Sequence, residues 1–547
     1  MSRRQVAEPA FSMSCSRDAR FLMLVVLIGA VLLFCRLDDA YLWQDEAETA
    51  LVGRHLLAYG LPLSSDGRDW VQQSGEPFVE FTSDYVWIYH SWLQYALVAA
   101  SFALFGPTTL AARLPFAVAG LVVLVLSYRL VLHGLGDRRV ARMATVLLLF
   151  CVPFLLLMRQ CRYYALTTVA ALLTLDAYLW LRSARRWALP LFVLSASLLY
   201  HCHYGAFFPT LAALGGHWLL SSTKDRTSHR YWQALVLLVV LVLPWAVFMR
   251  VAGRGQPFRA DRFLAHMGQY FVYTTGWLFP LALLTLLVIA WKRSARHRFL
   301  ALTRSQADYC WLVALIVLGN LLVLSVSAAF DWVYFRYMVH LIPLLLSVLA
   351  VLLVQINEQK ARLAGVLLAL TVVTNALSVV PYGLPGLRDW SVANLWPESA
   401  AFLSLQKVWN GAGRFRSDAW MYLQELTGSY EGPNEGLVAY LEQHAQPEDS
   451  LAVNYEDLPL MFYTDLRVVG GLGVHDLDAD SRPDWIVDRQ HGPYRDLLAE
   501  MLASGSYERI VLPYPDIRWE NRPGPTEHHY QTVEDADPVV LYRRVGM

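Results

Sequence analysis

Long apolar runs, separated by short segments rich in arginine, recur through the first 381 residues of the chain. Runs long enough to cross a bilayer lie near 20–37, 113–132, 140–158, 163–181, 188–204, 205–221, 232–250, 268–291, 309–329, 336–354 and 361–381. A bilayer core takes about 20 apolar residues in helical form. Within lipid, only a helix or a closed barrel satisfies its own backbone. These runs are too long for strands, so they read as helices packed on one another. Composition agrees: of 547 residues, 56% are hydrophobic and 16% charged, with 45 basic side chains against 45 acidic ones. That balance excludes a soluble protein and offers no basic surface for a nucleic acid.

One further run, 90–106, is shorter and is interrupted by Ser91, Gln94 and Ser101. Whether it crosses decides the side of everything after it. Cytoplasmic loops carry an excess of Lys and Arg. With 90–106 held outside and the basic N-terminus inside, the segments 138–142, 182–186, 224–230, 292–298 and 360–362 all fall inside. If it crosses, all of them fall outside. The run is therefore read as an amphipathic helix on the outer interface. Arg3, Arg4, Arg17 and Arg20 precede the first run, but no small-residue cleavage site follows it, so that run is an uncleaved first helix.

The same arrangement gathers the polar, unusual segments on the outer side: Asp45-Glu46, His90, residues 159–164, residues 200–204 and residues 335–337. The first outer loop, 38–112, is long for a helix connection, and loops of that length are commonly functional. Within it, 47–61 has helical spacing and ends at Gly60-Leu61-Pro62. Residues 381–386, Pro-Tyr-Gly-Leu-Pro-Gly, make a break. It divides an all-helical membrane domain, 1–386, of about eleven spans from an extracytoplasmic tail, 387–547. In the tail a helical stretch, 435–444, precedes strand candidates at 450–454, 485–487, 509–512 and 539–542. The tail thus reads as a small α/β domain. No cysteine follows Cys310, so it contains no disulfide of its own.

Asp45 and Glu46 follow the first span directly. A carboxylate at mid-helix costs about 2.5–3.5 kcal/mol on insertion scales, so these two belong at or beyond the interface. Acids also favour the first turn of any helix, so the test is whether other residues converge on them. Asp45 can serve as a base, with Glu46 beside it. His90, Arg159, Arg162 and Arg336 can hold a phosphate, arginine being the side chain that forks onto one. Tyr163, Tyr164, Tyr204, Tyr334 and Tyr337 can wall the site. Helix-end snorkelling is the plain alternative for Arg159 and Arg162. His201 and His203, at i and i+2, share no helix face. No third ligand follows by spacing, so no metal site is assigned. No cofactor is assigned, and a divalent metal is left open. Cys161 and Cys202 read as small apolar fillers.

These motifs, in this order and on one side, resemble the family 39 type of membrane glycosyltransferase with the GT-C fold. That group includes protein O-mannosyltransferases, lipid A aminoarabinose transferases and rhizobial lipid A core galacturonosyltransferases. Its Asp-Glu after the first helix is matched by Asp45-Glu46-Ala47-Glu48, leading to Gly60. Its Lys-or-His-Pro-Pro-Leu segment, with Phe-Gly and Ala-Arg-Leu-Pro after it, is matched by His90-Ser91-Trp92-Leu93, Phe105-Gly106 and Ala112-Arg113-Leu114-Pro115. Its Glu-Ala-Arg-x-Tyr is matched by Gln160-Cys161-Arg162-Tyr163-Tyr164. A later His-Tyr and Arg-Tyr are matched by His203-Tyr204 and Arg336-Tyr337. Three features depart from the pattern. Gln160 stands where relatives often carry a carboxylate, the two prolines after the histidine are missing, and the spacing from Asp45 to His90 is longer.

The resemblance implies inverting transfer of a monosaccharide, a hexose or pentose, from a polyprenyl-phosphate donor to a lipid, glycan or protein acceptor of the envelope. Asp45 and Glu46 would be catalytic. His90, Arg159, Arg162, Tyr163, Tyr164, His203, Tyr204, Arg336 and Tyr337 would bind the donor. The setting would be a bacterial inner membrane, with the active site outside. A transporter or flippase of lipid-linked sugars is the alternative. That function calls for charged or broken helices at the bilayer midplane and often a repeated half. Asp176 is the main mid-span acid and lies toward the inner half.

Overall fold

In the computed structural model, helices built from the apolar runs pack into a bundle whose two ends differ in chemistry. The structure describes residues 15–545 except 75–78, 184, 221–223, 255–256, 281–301, 329, 384–398, 431, 475, 479, 518–527 and 529–535. The helices of the first half are α1 (Cys15–Phe34), α2 (Gln44–Tyr59), α3 (Leu93–Phe105), α4 (Thr109–Leu135), α5 (Arg138–Leu149), α6 (Val152–Met158), α7 (Tyr164–Arg182), α8 (Ala188–Cys202), α9 (Tyr204–Leu219) and α10 (Lys224–Phe248). They continue with α11 (Ala260–Tyr273), α12 (Arg304–Ser327), a tight turn at Phe335–Leu341, α13 (Ile342–Gln359), α14 (Ala361–Val373) and α15 (Ala376–Gly383).

Five of these are long and apolar enough to cross a membrane, or up to seven if the bent pairs α5–α6 and α14–α15 each count as one span. The chain is a multi-pass membrane protein. The runs at 140–158 and 361–381, expected to be continuous, are bent by 67° and 77°. Pro153 opens α6, where a missing N–H breaks no helical bond. The second bend has a tertiary cause. Asn375 donates through Nδ2 to the Arg414 carbonyl at 2.7 Å and accepts at Oδ1 from the Arg416 N–H at 2.9 Å. Its own N–H meets the Arg416 carbonyl at 3.1 Å. A segment from the tail thus satisfies backbone groups that the helix would have used. The run at 268–291 begins in α11, and its part beyond residue 280 lies outside the described residues, as does the basic segment 292–298.

The basic inter-helix segments gather at one end. Arg138 and Arg142 both meet Asp18 of α1, at 3.0 and 2.6 Å, and Arg139 meets Glu358 at the end of α13 at 2.8 Å. Arg182, the last residue of α7, meets Asp308 in α12 at 2.6 Å. Tyr164 opens the same α7 at the opposite end, about 27 Å away by helix rise. Helix α3 does not run along the bundle. Ser91, just before it, donates to the Tyr200 carbonyl at 3.0 Å, and Phe102 near its far end packs on Phe462 of the tail, 6.1 Å between centroids. Both contacts lie at the end away from the basic segments, so α3 lies across that end.

Beyond residue 398, α16 (Ala400–Ala412) and α17 (Asp418–Thr427) pack on the bundle, while α18 (Pro433–His444) begins a separate layer. The rest of the tail is β1 (Ser450–Val453), α19 (Asp457–Tyr463), β2 (Arg467–Gly470), β3 (Trp485–Asp488), α20 (Arg495–Ser504), β4 (Tyr507–Pro515) and β5 (Pro538–Arg544). The sheet order is β2-β1-β3-β5-β4, with β1 parallel to β2 and β3, and β5 antiparallel to both of its neighbours. Four of these strands fall on the expected segments. The fifth, β2, opens on Arg467 and ends on Gly470, so only its two valines carry a strand signal in the sequence. The tail docks on α2. Tyr463 stacks on Tyr41 at 3.9 Å, accepts from the Leu42 N–H at 2.9 Å and meets the Thr109 hydroxyl at 2.6 Å.

Candidate functional site

Helix α2 carries four polar side chains in its first five positions, and all four are buried. Successive helical residues turn by about 100°, so Gln44, Asp45 and Glu46 point in different directions, while Glu48 lies one turn beyond Gln44 on the same side. Gln44 reaches the tail, its Nε2 donating to Asp457 Oδ1 at 2.8 Å. Asp45 faces the bundle, where its Oδ2 lies 3.1 Å from Arg336 Nη2 and 3.8 Å from Arg162 Nη2. Glu46 faces α4 and accepts two parallel bonds from Arg113, at 2.9 and 2.7 Å, and a third from the Cys161 N–H at 2.7 Å. Glu48 takes Arg162 in a fork at 2.6 and 3.1 Å. It also accepts from the Tyr95 hydroxyl at 3.1 Å and from Gln73 Nε2 at 2.6 Å.

This geometry gives the neighbouring acids Asp45 and Glu46 different positions. Glu46 is fully enclosed and spent on Arg113, which also donates to the carbonyls of Leu37, Ala40 and Tyr41. It ties α2, the turn before it and α4 into one unit. Asp45 is less committed: it has two guanidiniums on one oxygen and retains 8% of its surface. Burial alone would raise the Glu48 carboxyl, but Arg162 and His90 outweigh it and hold Glu48 down at about 2. Glu48 therefore stays ionised and fixes the Arg162 guanidinium beside Asp45. In the same loop, burial pushes Glu80 up to about 8, against the pull of the Gln73 and Ser74 N–H groups.

Aromatic rings complete the surround. Tyr163 is stacked between His203, 4.5 Å away and tilted 16°, and His90, 5.7 Å away and tilted 28°. The Arg336 guanidinium lies over Tyr334 at 3.9 Å, Trp43 at 5.2 Å and Tyr337 at 5.7 Å. Tyr164 opens α7 beside them, fully buried. Asp45, Arg162, Arg336, Tyr163, Tyr164, Tyr337, His90 and His203 thus border one region. Tyr204 lies at its edge, its hydroxyl donating to the Tyr89 carbonyl at 3.3 Å. Arg159 points elsewhere. It donates to the Leu32, Cys35 and Arg36 carbonyls at the end of α1 and to the Tyr422 hydroxyl of α17. That is a helix-end cap joined to the tail.

Glu48, Trp43, Gln73 and Tyr95 were not singled out from the sequence. Glu48 left one signal: a third carboxylate within a single turn of two others, in a chain poor in charge. Gln160 accepts from Trp43 Nε1 at 2.6 Å, a bond that a carboxylate would make equally well. Among the described residues no three His, Cys, Asp or Glu side chains converge to hold a metal ion. Around Asp45 the donor set is one carboxylate with two guanidiniums, which does not fit a dication.

No family model matches the sequence, and no curated protein matches it. Solved structures do. ArnT from Cupriavidus metallidurans in the apo state superposes with a TM-score of 0.54 at 17% identity, over 97% of this chain and 98% of that one. ArnT bound to undecaprenyl phosphate gives 0.53 at 16% identity, over the same shares. The oligosaccharyltransferase AglB from Archaeoglobus fulgidus gives 0.44 at 10% identity, over 93% of this chain and 75% of that one. The end-to-end match to ArnT covers the helix bundle and the tail together, and it fixes the fold: the chain has the GT-C fold of membrane glycosyltransferases, in the form seen in ArnT.

Proposed function

We propose that this protein is a membrane glycosyltransferase that moves a monosaccharide from a polyprenyl-phosphate donor to a hydroxyl of an envelope acceptor, at the end of the bundle that faces away from the cytoplasm. The observation that carries the reading is Asp45, a carboxylate held at one oxygen by Arg336 and Arg162 inside an aromatic wall. The undecaprenyl phosphate in the ArnT structure of the same fold supports a lipid phosphate as the ligand of those guanidiniums.

The chemistry follows from the residues. The phosphate seats against Arg336 and Arg162, sharing with Asp45 the donors that now face it. Asp45 takes the proton of the acceptor hydroxyl as that oxygen attacks C1 of the sugar. The C1–O bond to phosphate breaks, its electron pair leaves with the polyprenyl phosphate, and the guanidiniums meet the added charge. A single displacement inverts the anomeric centre. Glu48 positions Arg162, and Glu46 with Arg113 positions the turn that carries Asp45. The arginine-rich end, by the positive-inside rule, is cytoplasmic.

Purified protein given a labelled polyprenyl-phosphate sugar and a membrane lipid extract is expected to release label from the carrier. A transporter would instead move the donor across a liposome bilayer with its sugar still attached, and that outcome would overturn the reading.

A further inference from the structure

The long loop between α2 and α3 reaches the site at two places, and both end on Glu48. Gln73 donates through Nε2 to Glu48 Oε2 at 2.6 Å, and His90 Nδ1 lies 3.5 Å from Glu48 Oε1. The two oxygens hold Arg162 unequally. Oε1 takes its Nη1 at 2.6 Å, while Oε2, the oxygen shared with Gln73, takes its Nη2 at the longer 3.1 Å. Nη2 is also the nitrogen that faces Asp45, at 3.8 Å. An acceptor divided between two donors holds each less firmly than it would hold one. Gln73 thereby leaves Nη2 able to turn to a second ligand.

Glu80 places both stretches of the loop. Its Oε2 accepts from the Gln73 N–H at 2.8 Å and from the Ser74 N–H at 3.1 Å. Its carbonyl accepts from the Ile88 N–H at 2.9 Å and the Tyr89 N–H at 3.1 Å, directly before His90. One residue thus ties the stretch that carries Gln73 to the stretch that carries His90. Glu80 is 2% exposed, and among the described residues no basic side chain pairs with it. The charged groups acting on it are Glu48 of α2, which disfavours its ionisation, and Arg162, which favours it but is already forked onto Glu48. An ionised Glu80 is a second buried anion beside Glu48, a state relieved by moving toward water. That movement carries Gln73 away from Glu48.

We infer that Glu80 and Gln73 are positioning residues for the donor phosphate: the loop they pin onto Glu48 keeps the Arg162 guanidinium turned to face it. The inference rests on the donor reading above and assigns neither residue a contact with substrate.

The test titrates full-length purified protein with bare polyprenyl phosphate at pH 6 and pH 9. Each variant is compared with wild type at the same pH, which cancels the titration of the phosphate itself. Glu80→Gln keeps an acceptor for both N–H groups and cannot ionise. It is expected to match wild type at pH 6, where Glu80 is protonated, and to bind about five- to tenfold tighter than wild type at pH 9, above the Glu80 value of about 8. Gln73→Leu is expected to bind about five- to tenfold more weakly than wild type at pH 6, the loss of one hydrogen bond. At pH 9 it should come close to wild type, because the contact that Glu80 withdraws is already gone. A loop with an architectural role alone would change melting in these variants and leave their affinity equal to wild type at both pH values. That result, or a Glu80→Gln protein no tighter than wild type at pH 9, would overturn the inference while the donor reading stands. Failure of wild type to bind the bare carrier, or binding indifferent to Arg336→Ala, would overturn the donor reading and this inference with it.

Discussion

Asp45, Glu46 and Glu48 carry the same charge within one helical turn, yet each is met by a different arrangement of arginine. The pairing separates Glu46 and Glu48, each forked onto one arginine, from Asp45, the acid proposed to do chemistry. Glu46 and Arg113 are both essentially enclosed, at 0% and 4% side-chain exposure. Truncating one partner of such a pair leaves the other buried and uncompensated, at a cost of about 3–5 kcal/mol. Glu46→Ala is therefore expected to lower the melting temperature in detergent clearly, and Asp45→Asn to leave it close to wild type. Equal losses in both variants would contradict the division of roles. The sequence could show the acids but not this division, because Arg113 lies 67 residues from Glu46 and Arg336 still farther along the chain.

At the scale of elements, the sorting of arginines to one end of the bundle makes the orientation testable. Ser83, in the long loop between α2 and α3, and Ser183, just past the arginine-bearing end of α7, are both exposed. A cysteine at position 83 is expected to react with a membrane-impermeant thiol reagent added to intact cells, and one at 183 only after lysis. Labelling of both would contradict the assignment of sides and the non-crossing of α3. Much at this scale was legible beforehand. The helical spacing of 47–61 and its Gly-Leu-Pro ending correspond to α2, whose C-cap Gly60 sits at φ 74°, a conformation that suits glycine. The alternating apolar stretches of the tail correspond to β1, β3, β4 and β5. The bend between α14 and α15 was not legible, because its cause is residues 414–416, which reach back from the tail to Asn375. A one-dimensional pattern carries no trace of that contact.

In the whole molecule, the tail is built into the site's support. Gln44, immediately before Asp45, is held by Asp457 of α19, whose carboxyl burial pushes up to about 6. A carboxyl with a raised native pKa contributes stability that is full below its unfolded value, near 3.8, and is lost as pH rises through about 6. Asp457→Asn removes the ionisable group and keeps an acceptor for Gln44. It is expected to stabilise the protein at pH 8, by on the order of 2 kcal/mol, and to be nearly neutral at pH 4. Melting curves at the two pH values check this, and a variant equally displaced at both would contradict it. On the proposed function, this assembly presents Asp45 as a base next to a bound lipid phosphate. The most direct measurement compares Asp45→Asn with Arg336→Ala for polyprenyl-phosphate-sugar affinity and for single-turnover transfer. Asp45→Asn is expected to bind donor within a few-fold of wild type and to lose about 10²–10⁴ in transfer rate. Arg336→Ala is expected to lose donor affinity. Unchanged single-turnover transfer by Asp45→Asn would rule out Asp45 as the base.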